Sequence, residues 1–364
     1  MATTKLTLPW KVRLSIFVLS ALSDASRRSN GTFNRRIFNL VDRKAPPNPN
    51  VVNGVYSSDV TVDPSRNLWF RLFIPSISSA VSAASLPVFV YFHGGAFTFF
   101  NAASIPIDAF CRLFCRSLNA VVVSVDYRLT PEHRYPSQYD DGHDVLKFLD
   151  QNSTVLPSIA DVSKCFLAGD SAGANLAHHV AVRVCEDKLR TVKIIGLVSV
   201  QPYFGGEERT GSELRLNRVP VLSLKMTDWH WKVFLPNGSD RDHGAANVSG
   251  PNTVDISGLD YPNTIVFLGG LDLLRDWQMK YYEWLRKSGK GAELVDYPNA
   301  FHGFYLFPEL PLARLFFSRL KEFVTKQISN MNWSLCWYKR NKSDYIEKIT
   351  LVDPWKDFHF LPLK

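Results

Sequence analysis

Gly169-Asp170-Ser171-Ala172-Gly173 has the sequence of a sharp turn between a strand and a helix. It directly follows the apolar run Cys165–Ala168, which is typical of a strand, and it opens the helical pattern Gly173–Glu186. A sharp strand-to-helix turn holds its serine in a strained backbone conformation, and the flanking glycines give the crowded turn its space. The turn presents the Ser171 hydroxyl at the carboxyl edge of a sheet and the Ala172 N–H at a helix N-terminus. We therefore predict that Ser171 is a nucleophile.

A second turn of small residues lies where hydrogen-bond donors for this serine are needed. His93-Gly94-Gly95-Ala96-Phe97 directly follows the strand pattern Val88–Phe92. Successive small residues let the backbone turn its N–H groups toward a substrate carbonyl oxygen, and loss of one such donor typically costs about 3 kcal/mol of transition-state stabilisation. The predicted donors of this oxyanion hole are the N–H groups of Gly94, Gly95, Ala96 and Ala172.

The rest of the chain supplies an acid and a base in the order that this kind of site requires. Asp272 follows the strand pattern Ile265–Leu268, and His302 follows the strand pattern Glu293–Tyr297. Both therefore fall on loops at the carboxyl edge of the sheet, near Ser171. In the predicted triad Ser171 attacks an acyl carbon, His302 transfers the proton, and Asp272 fixes the imidazole tautomer and stabilises its cation.

The chain contains other titratable residues that are candidates for the same roles. Asp276 lies one helical turn beyond Asp272 and stays open as an alternative acid, although we expect it within a helix. His178 and His179 lie on the helix after Ser171 and are expected to pack, while the remaining histidines lack the required chain order: His133, His143, His230 and His243. No metal-ligand spacing recurs, including around His230 and His243, so we predict no metal site. No cofactor is expected, because the triad and the donors suffice for acyl transfer.

From Asn67 onward, short β-branched or aromatic runs alternate with helical stretches. This alternation predicts an α/β fold, with a mostly parallel central sheet and helices on both faces. The predicted strands are Leu68–Phe73, Val88–Phe92, Val121–Val125, Cys165–Ala168, Gly196–Val200, Ile265–Leu268 and Glu293–Tyr297. The predicted helices are Ile107–Leu118, Tyr139–Asp150, Gly173–Glu186, Trp277–Lys287 and Leu312–Ile328.

Three parts of the chain fall outside this alternation. Residues 1–50 form a predicted N-terminal helical lid segment. Its apolar residues recur near one side of a helix: Trp10, Val12, Ile16, Leu19 and Leu22. A linker, Asp42–Asn53, is predicted where this segment meets the following domain. Residues 202–262 contain turn residues, charge and a Trp-rich helix, Leu222–Phe234, but no convincing strand; we predict a cap insertion there. Residues 329–364 are predicted to lie outside the domain of residues 51–328.

Composition excludes several other classes of protein. The chain has 364 residues, 46% of them hydrophobic, and a formal charge of +8. Its basic residues are spread along the chain, so we predict no nucleic-acid partner. Five cysteines without metal spacing favour a reducing compartment. The apolar stretch from Leu14 to Leu22 is far too short for a membrane span; secretion stays open as an alternative to a cytoplasmic or nuclear location.

Taken together, the motifs resemble the plant carboxylesterase family, in the hormone-sensitive-lipase group of α/β hydrolases. The resemblance runs from the N-terminal Leu6–Lys11 segment to about Ile328. It is carried by these segments: His93–Ala96, Asp126–His133, Gly169–Gly173, Asp272–Asp276 and Phe301–Phe304. Two residues depart from the family pattern, since Ala96 replaces a third glycine of the oxyanion loop and Leu273 replaces a proline after the acid.

The resemblance implies the α/β-hydrolase fold with a helical cap, and a carboxylic ester hydrolase that acts on a small-molecule ester as a monomer or homodimer. The residues expected to contact substrate are Phe97, Asp170, Tyr203 and Phe304. Two alternatives use the same framework. Dehydratases and cyclases of specialised metabolites, such as the hydroxyisoflavanone dehydratases, carry out eliminations. Gibberellin receptors bind a hormone without turnover and resemble the family with the triad histidine replaced, whereas His302 is present here.

Overall fold

An eight-stranded sheet organises the chain. The structure is a computed structural model that describes residues 8–76, 85–216 and 221–349, with the last helix described beyond residue 331 by its backbone only. The strands are β1 Val55–Asp63, β2 Leu68–Pro75, β3 Leu86–Phe92, β4 Val121–Asp126, β5 Ala160–Asp170, β6 Ile194–Val200, β7 Thr264–Leu271 and β8 Ala292–Phe301. They lie in the order β1-β2-β4-β3-β5-β6-β7-β8. The pairs β1–β2 and β2–β4 are antiparallel, and all other neighbours are parallel.

Helices cover both faces of the sheet. They are α1 Trp10–Ser26, α2 Arg35–Phe38, α3 Ile105–Leu118, α4 Ser137–Gln151, α5 Ala172–Asp187, α6 Gly211–Arg215, α7 Leu224–Phe234, α8 Arg275–Lys287 and α9 Pro311–Ile349. On β3, Val88 and Val90 pack in one core with α4, α5 and α8, while Phe89 and Tyr91 pack in another with α3 and α9. This division follows from the alternation of side chains along a strand, and it confirms the predicted α/β sheet.

The predicted strands and helices are present, and one strand was missed. The missed strand, β1, lies at the edge of the sheet beside β2. Only Val55 and Ser57 among its residues are buried. A mostly exposed edge strand carries little apolar alternation, so its sequence, Val-Tyr-Ser-Ser-Asp-Val-Thr-Val-Asp, gives a weak strand pattern.

The N-terminal segment and the insertion have the helical character expected of them. In α1, Val12 and Ile16 are buried, but Trp10 is 69% exposed, which corrects its placement on the packed side. In the described part of residues 202–262 there is no strand, only α6 and α7 with their connecting turns. Trp229 of α7 donates its indole N–H to the Arg28 carbonyl at 2.8 Å, so α7 and the N-terminal segment are directly joined.

The last helix is longer than the sequence pattern indicated. The sequence pattern predicts an end at Ile328, where apolar periodicity fades, but α9 continues without a break to Ile349. No glycine or proline occurs between Leu312 and Asp353, so nothing in the sequence stops the helix there. The prediction that residues 329–364 lie outside the domain stays a prediction, and residues 350–364 lie outside the described part. None of the described helices is long and apolar enough to span a membrane.

Parallel pairing brings the predicted site residues to one edge. Ser171 follows β5, the glycine turn follows β3, Asp272 follows β7 and His302 follows β8. Because these four strands run in the same direction, their carboxyl ends meet. The closest approach at this edge is between α5 and β3, where a Cβ added to Gly173 would lie 1.9 Å from the Phe92 carbonyl oxygen.

We expect Gly173→Ala to destabilise the protein by about 3 kcal/mol or more, because its methyl group cannot be accommodated without moving α5 away from β3. Gly258→Ala is the matched control, since an added Cβ there meets nothing within 4 Å; we expect it to change the free energy of unfolding by less than about 0.5 kcal/mol. Urea unfolding of both variants measures the difference. Equal stability of the two variants would contradict the close approach.

Candidate active site

The turn at Ser171 has the strained geometry that its sequence predicts. Ser171 has φ 52° and ψ −119°, outside the regions that a residue with a Cβ favours. A Cβ on Gly169 would lie 2.2 Å from the Gly173 carbonyl oxygen, so the turn has no room for a side chain there. Ala172 begins α5, and its N–H therefore lies at the positive end of the helix dipole.

Ser171, His302 and Asp272 form a chain of hydrogen bonds. His302 Nε2 lies 2.9 Å from Ser171 Oγ, and His302 Nδ1 lies 2.7 Å from Asp272 Oδ2. Asp272 is fully buried, while the side chains of Ser171 and His302 are nearly so. The alternative acid is engaged elsewhere, because Asp276 Oδ2 accepts the Ser212 N–H at 2.7 Å. The structure thus brings together the three residues that were predicted to form the triad.

Two glutamines that the sequence analysis missed hold the Asp272 carboxylate. Gln201 Nε2 and Gln278 Nε2 donate to Asp272 Oδ2 at 2.9 and 2.8 Å, and the Leu274 N–H donates to Oδ1 at 2.9 Å. Gln201 also accepts the Gly303 N–H at 2.8 Å, directly beside His302. Its place after β6, at the edge where the other site residues lie, was the one signal in the sequence that pointed to it.

Three of the four predicted oxyanion-hole donors remain available. Gly95, Ala96 and Ala172 make no N–H hydrogen bond to the part of the chain that the structure describes. The Gly94 N–H is different, because it donates to Asp170 Oδ1 at 2.9 Å. Gly94 was therefore wrongly included, since a donor already bound to a carboxylate cannot also serve a substrate oxygen. Ala96 has φ 50°, so a residue with a Cβ does occupy the left-handed conformation that glycine would favour.

Asp170 is bound by protein groups on both carboxylate oxygens. Oδ1 accepts the Tyr91 hydroxyl as well as the Gly94 N–H, and Oδ2 accepts the Tyr305 hydroxyl at 2.8 Å. Burial raises the pKa of this carboxyl group, while the three donors act in the opposite direction. Asp170 lies at the cavity wall, but both of its carboxylate oxygens are hydrogen-bonded to protein groups. This arrangement does not fit the substrate-contacting role predicted for Asp170.

A cavity of about 750 Å³ opens in front of Ser171. Its wall combines the oxyanion loop, residues of α1 such as Leu14 and Leu19, and the insertion residues Met226 and Thr227. Tyr203 lines it as predicted. Phe97 and Phe304 do not, because both are fully buried in the core. Phe97 stacks on Phe234 with ring centroids 3.9 Å apart, and Phe304 packs edge-on against Tyr297.

The other histidines lie apart from this chain of hydrogen bonds. His178 and His179 lie on α5 and, with His243, line a second cavity of about 270 Å³. His230 lines the main cavity and contacts Thr98 Oγ1 at 3.0 Å. Burial lowers the pKa of each of these four imidazoles. Within the described residues, no group of three or more His, Cys, Asp or Glu side chains is arranged to hold a metal ion.

Comparison with known sequences places this site in a family. The profile of a family described as alpha/beta hydrolase fold matches residues 89–306. Gibberellin receptor GID1C of Arabidopsis thaliana is 42% identical over 292 residues, which cover 78% of this chain and 84% of the receptor. Carboxylesterase 20 of Arabidopsis thaliana is 36% identical over 282 residues, which cover 75% of this chain and 86% of that protein.

The chain belongs to the plant carboxylesterase family of α/β hydrolases. Solved structures agree with this assignment. An α/β-hydrolase enzyme from the metagenome of Lake Arreo, Spain, matches this chain with a TM-score of 0.69 and 25% identity, covering 89% of this chain and 99% of that one. An esterase of Pyrobaculum calidifontis matches with a TM-score of 0.65 and 25% identity, covering 86% and 93%.

The imidazole at the start of the oxyanion loop links stability to pH. His93 is buried, its Nδ1 lies 2.7 Å from the Gly94 carbonyl oxygen, and burial lowers its pKa from 6.5 to about 4. Between these two values the unfolded chain binds a proton there that the folded protein does not. The stability that His93 contributes is therefore fully present above pH 6.5 and is lost as the pH falls toward 4.

We expect the stability advantage of wild type over His93→Gln to shrink by about 2 kcal/mol between pH 7.5 and pH 5, because glutamine does not titrate. Urea unfolding of both proteins at the two pH values gives the difference. A stability difference that does not depend on pH would mean that His93 is not held neutral by the fold.

Proposed function

We propose that the protein is a carboxylic ester hydrolase that acts on small-molecule esters through a covalent acyl-enzyme intermediate. The observation that carries this proposal is the continuous chain of hydrogen bonds from Asp272 through His302 to Ser171. A serine hydroxyl is a weak nucleophile unless a base within hydrogen-bonding reach removes its proton. His302 lies within that reach, and Asp272 orients it.

The reaction then runs in two halves. Ser171 Oγ attacks the acyl carbon and its proton passes to His302 Nε2, while the carbonyl oxygen becomes an oxyanion that the N–H groups of Gly95, Ala96 and Ala172 stabilise. Collapse of this intermediate expels the alcohol, which takes the proton from His302, and leaves an ester between Ser171 and the acyl group. Water then attacks this ester by the same steps and releases the carboxylic acid.

The polar groups around Asp272 support its part in this reaction. Hydrogen bonds from Gln201, Gln278 and the Leu274 N–H hold its carboxyl group in a fully buried position beside His302. An ionised Asp272 accepts from His302 Nδ1, which leaves Nε2 unprotonated and facing Ser171. The imidazolium that forms during attack lies beside this negative charge.

The cavity supports a small-molecule substrate with a bulky apolar part. A volume of about 750 Å³ lies within the range of sites for drug-sized ligands, and its wall includes several aliphatic and aromatic side chains. Because α1 supplies one wall of the cavity, we assign residues 1–50 as a lid. Because Met226 and Thr227 supply another wall, we assign residues 202–262 as a cap. Four cysteines of the described chain are free thiols, which fits a reducing compartment such as the cytoplasm or nucleus.

Hormone binding without turnover is a second candidate, favoured by the 42% identity to a gibberellin receptor. The triad histidine distinguishes the two candidates, since receptors of that type resemble the family with this histidine replaced. Here His302 is present and makes both hydrogen bonds of a triad base. Elimination chemistry of the dehydratase or cyclase kind uses the same framework and is separated from hydrolysis by its products.

The first test is hydrolysis of short p-nitrophenyl esters, together with labelling by a fluorophosphonate probe. We expect wild type to turn over the esters and to be labelled, and Ser171→Ala to lose both, because the probe reacts only with an activated serine. Well-folded wild type that shows neither turnover nor labelling would overturn the esterase proposal. Tight binding of a gibberellin by such an inert protein would then support the receptor candidate.

The acid has a test of its own. We expect Asp272→Asn to lower kcat by about 10⁴-fold, because the amide favours the wrong imidazole tautomer and cannot stabilise the imidazolium. Asp276→Asn is the matched control, with kcat close to wild type, since Asp276 bonds to Ser212 and not to His302. Steady-state kinetics on a p-nitrophenyl ester measures both. If Asp276→Asn were the more damaging change, the acid would be misassigned.

A further inference from the structure

One buried carboxylate joins three separate segments of the site. Asp170 immediately precedes Ser171, and its side chain is 3% exposed. Its Oδ1 accepts the Gly94 N–H of the oxyanion loop and the Tyr91 hydroxyl of β3, while its Oδ2 accepts the Tyr305 hydroxyl. Tyr305 lies three residues after His302. The same carboxylate therefore contacts the elements that carry the nucleophile, the oxyanion donors and the base.

The loop that Asp170 holds is unusually strained. Besides Gly95, at φ 113°, it contains three residues with side chains in the left-handed region: Ala96 at φ 50°, Phe97 at φ 58° and Phe100 at φ 64°. Such conformations cost free energy and persist only where the surrounding structure fixes them. The direction of the Gly95 and Ala96 N–H groups depends on this loop geometry. A fixed anchor at Gly94 is therefore needed at the start of the loop.

The contact at Gly94 is also too close for any other residue. A Cβ added to Gly94 would lie 2.4 Å from Asp170 Oδ2 and 3.0 Å from the Asp170 carbonyl oxygen. Because Gly94 has no side chain, its backbone can approach Asp170 closely enough to form the hydrogen bond. This assigns Gly94 a different role from Gly95, although the two residues are adjacent and identical in type.

We propose that Asp170 is a positioning residue, whose carboxylate fixes the oxyanion loop and the His302 segment relative to Ser171. The proposal rests on the proposed ester hydrolysis for its kinetic consequence, but its structural consequence is independent of any reaction. Both Asp170 carboxylate oxygens accept from protein groups, and within the described residues neither is hydrogen-bonded to Ser171 Oγ or to the His302 ring. Asp170 acts through Gly94 on the donors and through Tyr305 on the segment that carries His302.

The kinetic test compares hydroxyl deletions that differ only in whether they reach Asp170. Tyr91→Phe removes a donor to Asp170, and Tyr91 does not line the cavity. Tyr297→Phe is the matched control, because its buried hydroxyl makes no hydrogen bond within the described structure. We expect Tyr91→Phe to lower kcat about 3- to 10-fold with KM within about 2-fold of wild type, and Tyr297→Phe to leave both unchanged.

Substitutions at Asp170 itself extend the comparison. We expect Asp170→Ala to lower kcat by about 10²-fold and Asp170→Asn by about 10-fold, because the amide keeps the shape and one acceptor oxygen. In the Asp170→Ala background, Tyr91→Phe is expected to add less than about 2-fold, since both changes remove the same interaction. Full additivity of the two effects would overturn the proposal.

Hydrogen exchange tests the structural part without using activity. In Tyr91→Phe and Asp170→Asn we expect faster amide exchange in peptides that cover residues 92–100 and 302–307, with α4 unchanged and with Tyr297→Phe like wild type. Faster exchange in both peptides of a protein that does not hydrolyse esters would support the positioning role while the proposed function failed. Unchanged exchange and unchanged kcat in an active enzyme would overturn the positioning role alone. If Asp170→Ala fails to fold, the two tyrosine variants decide the question.

Discussion

The close approach of α5 to β3 is the constraint on which the rest of the site depends. At Gly173 the helix backbone lies against the Phe92 carbonyl, and at Gly169 the incoming strand lies against the helix. These two contacts restrict the path of the chain between them, and Ser171 on that path has a strained conformation. The serine is therefore held out at the sheet edge by backbone packing, and the strain is maintained because the crowded backbone on both sides cannot relax.

Around this fixed serine, amide and carboxylate side chains hold the loops that carry the other site residues. Gln201 hydrogen-bonds both the Asp272 carboxylate and the Gly303 N–H. It therefore fixes the position of Asp272 relative to the segment that carries His302. Arg35 of the N-terminal segment pairs with Glu132 and donates to the Thr98 carbonyl of the oxyanion loop. Loops without regular secondary structure thus gain their order from polar contacts, each of which spans a long stretch of sequence.

The sequence predicts the centre of this arrangement better than its surroundings. Ser171, Asp272 and His302 could be predicted to lie together because each follows a strand at the same edge, which chain order alone indicates. The roles of Gly94 and Asp170 were missed because a hydrogen bond between residues 76 apart has no local pattern. Phe97 and Phe304 were misplaced for a related reason: an aromatic residue beside a motif faces either the cavity or the core, and only the packing around it decides which.

Overall identity and local geometry favour different functions for this chain, and the geometry is the stronger argument. A fold that hosts both enzymes and receptors does not by itself determine activity, which depends on the few side chains at the site. Identity to a receptor is summed over 292 residues and does not single out the few that form the site. A base for Ser171 requires one imidazole at one place, held by one carboxylate. That imidazole is His302, and Gln201, Gln278 and the Leu274 N–H all stabilise the carboxylate that orients it. A buried carboxylate costs stability unless hydrogen bonds satisfy it, and these three donors do so while leaving Asp272 in contact with His302.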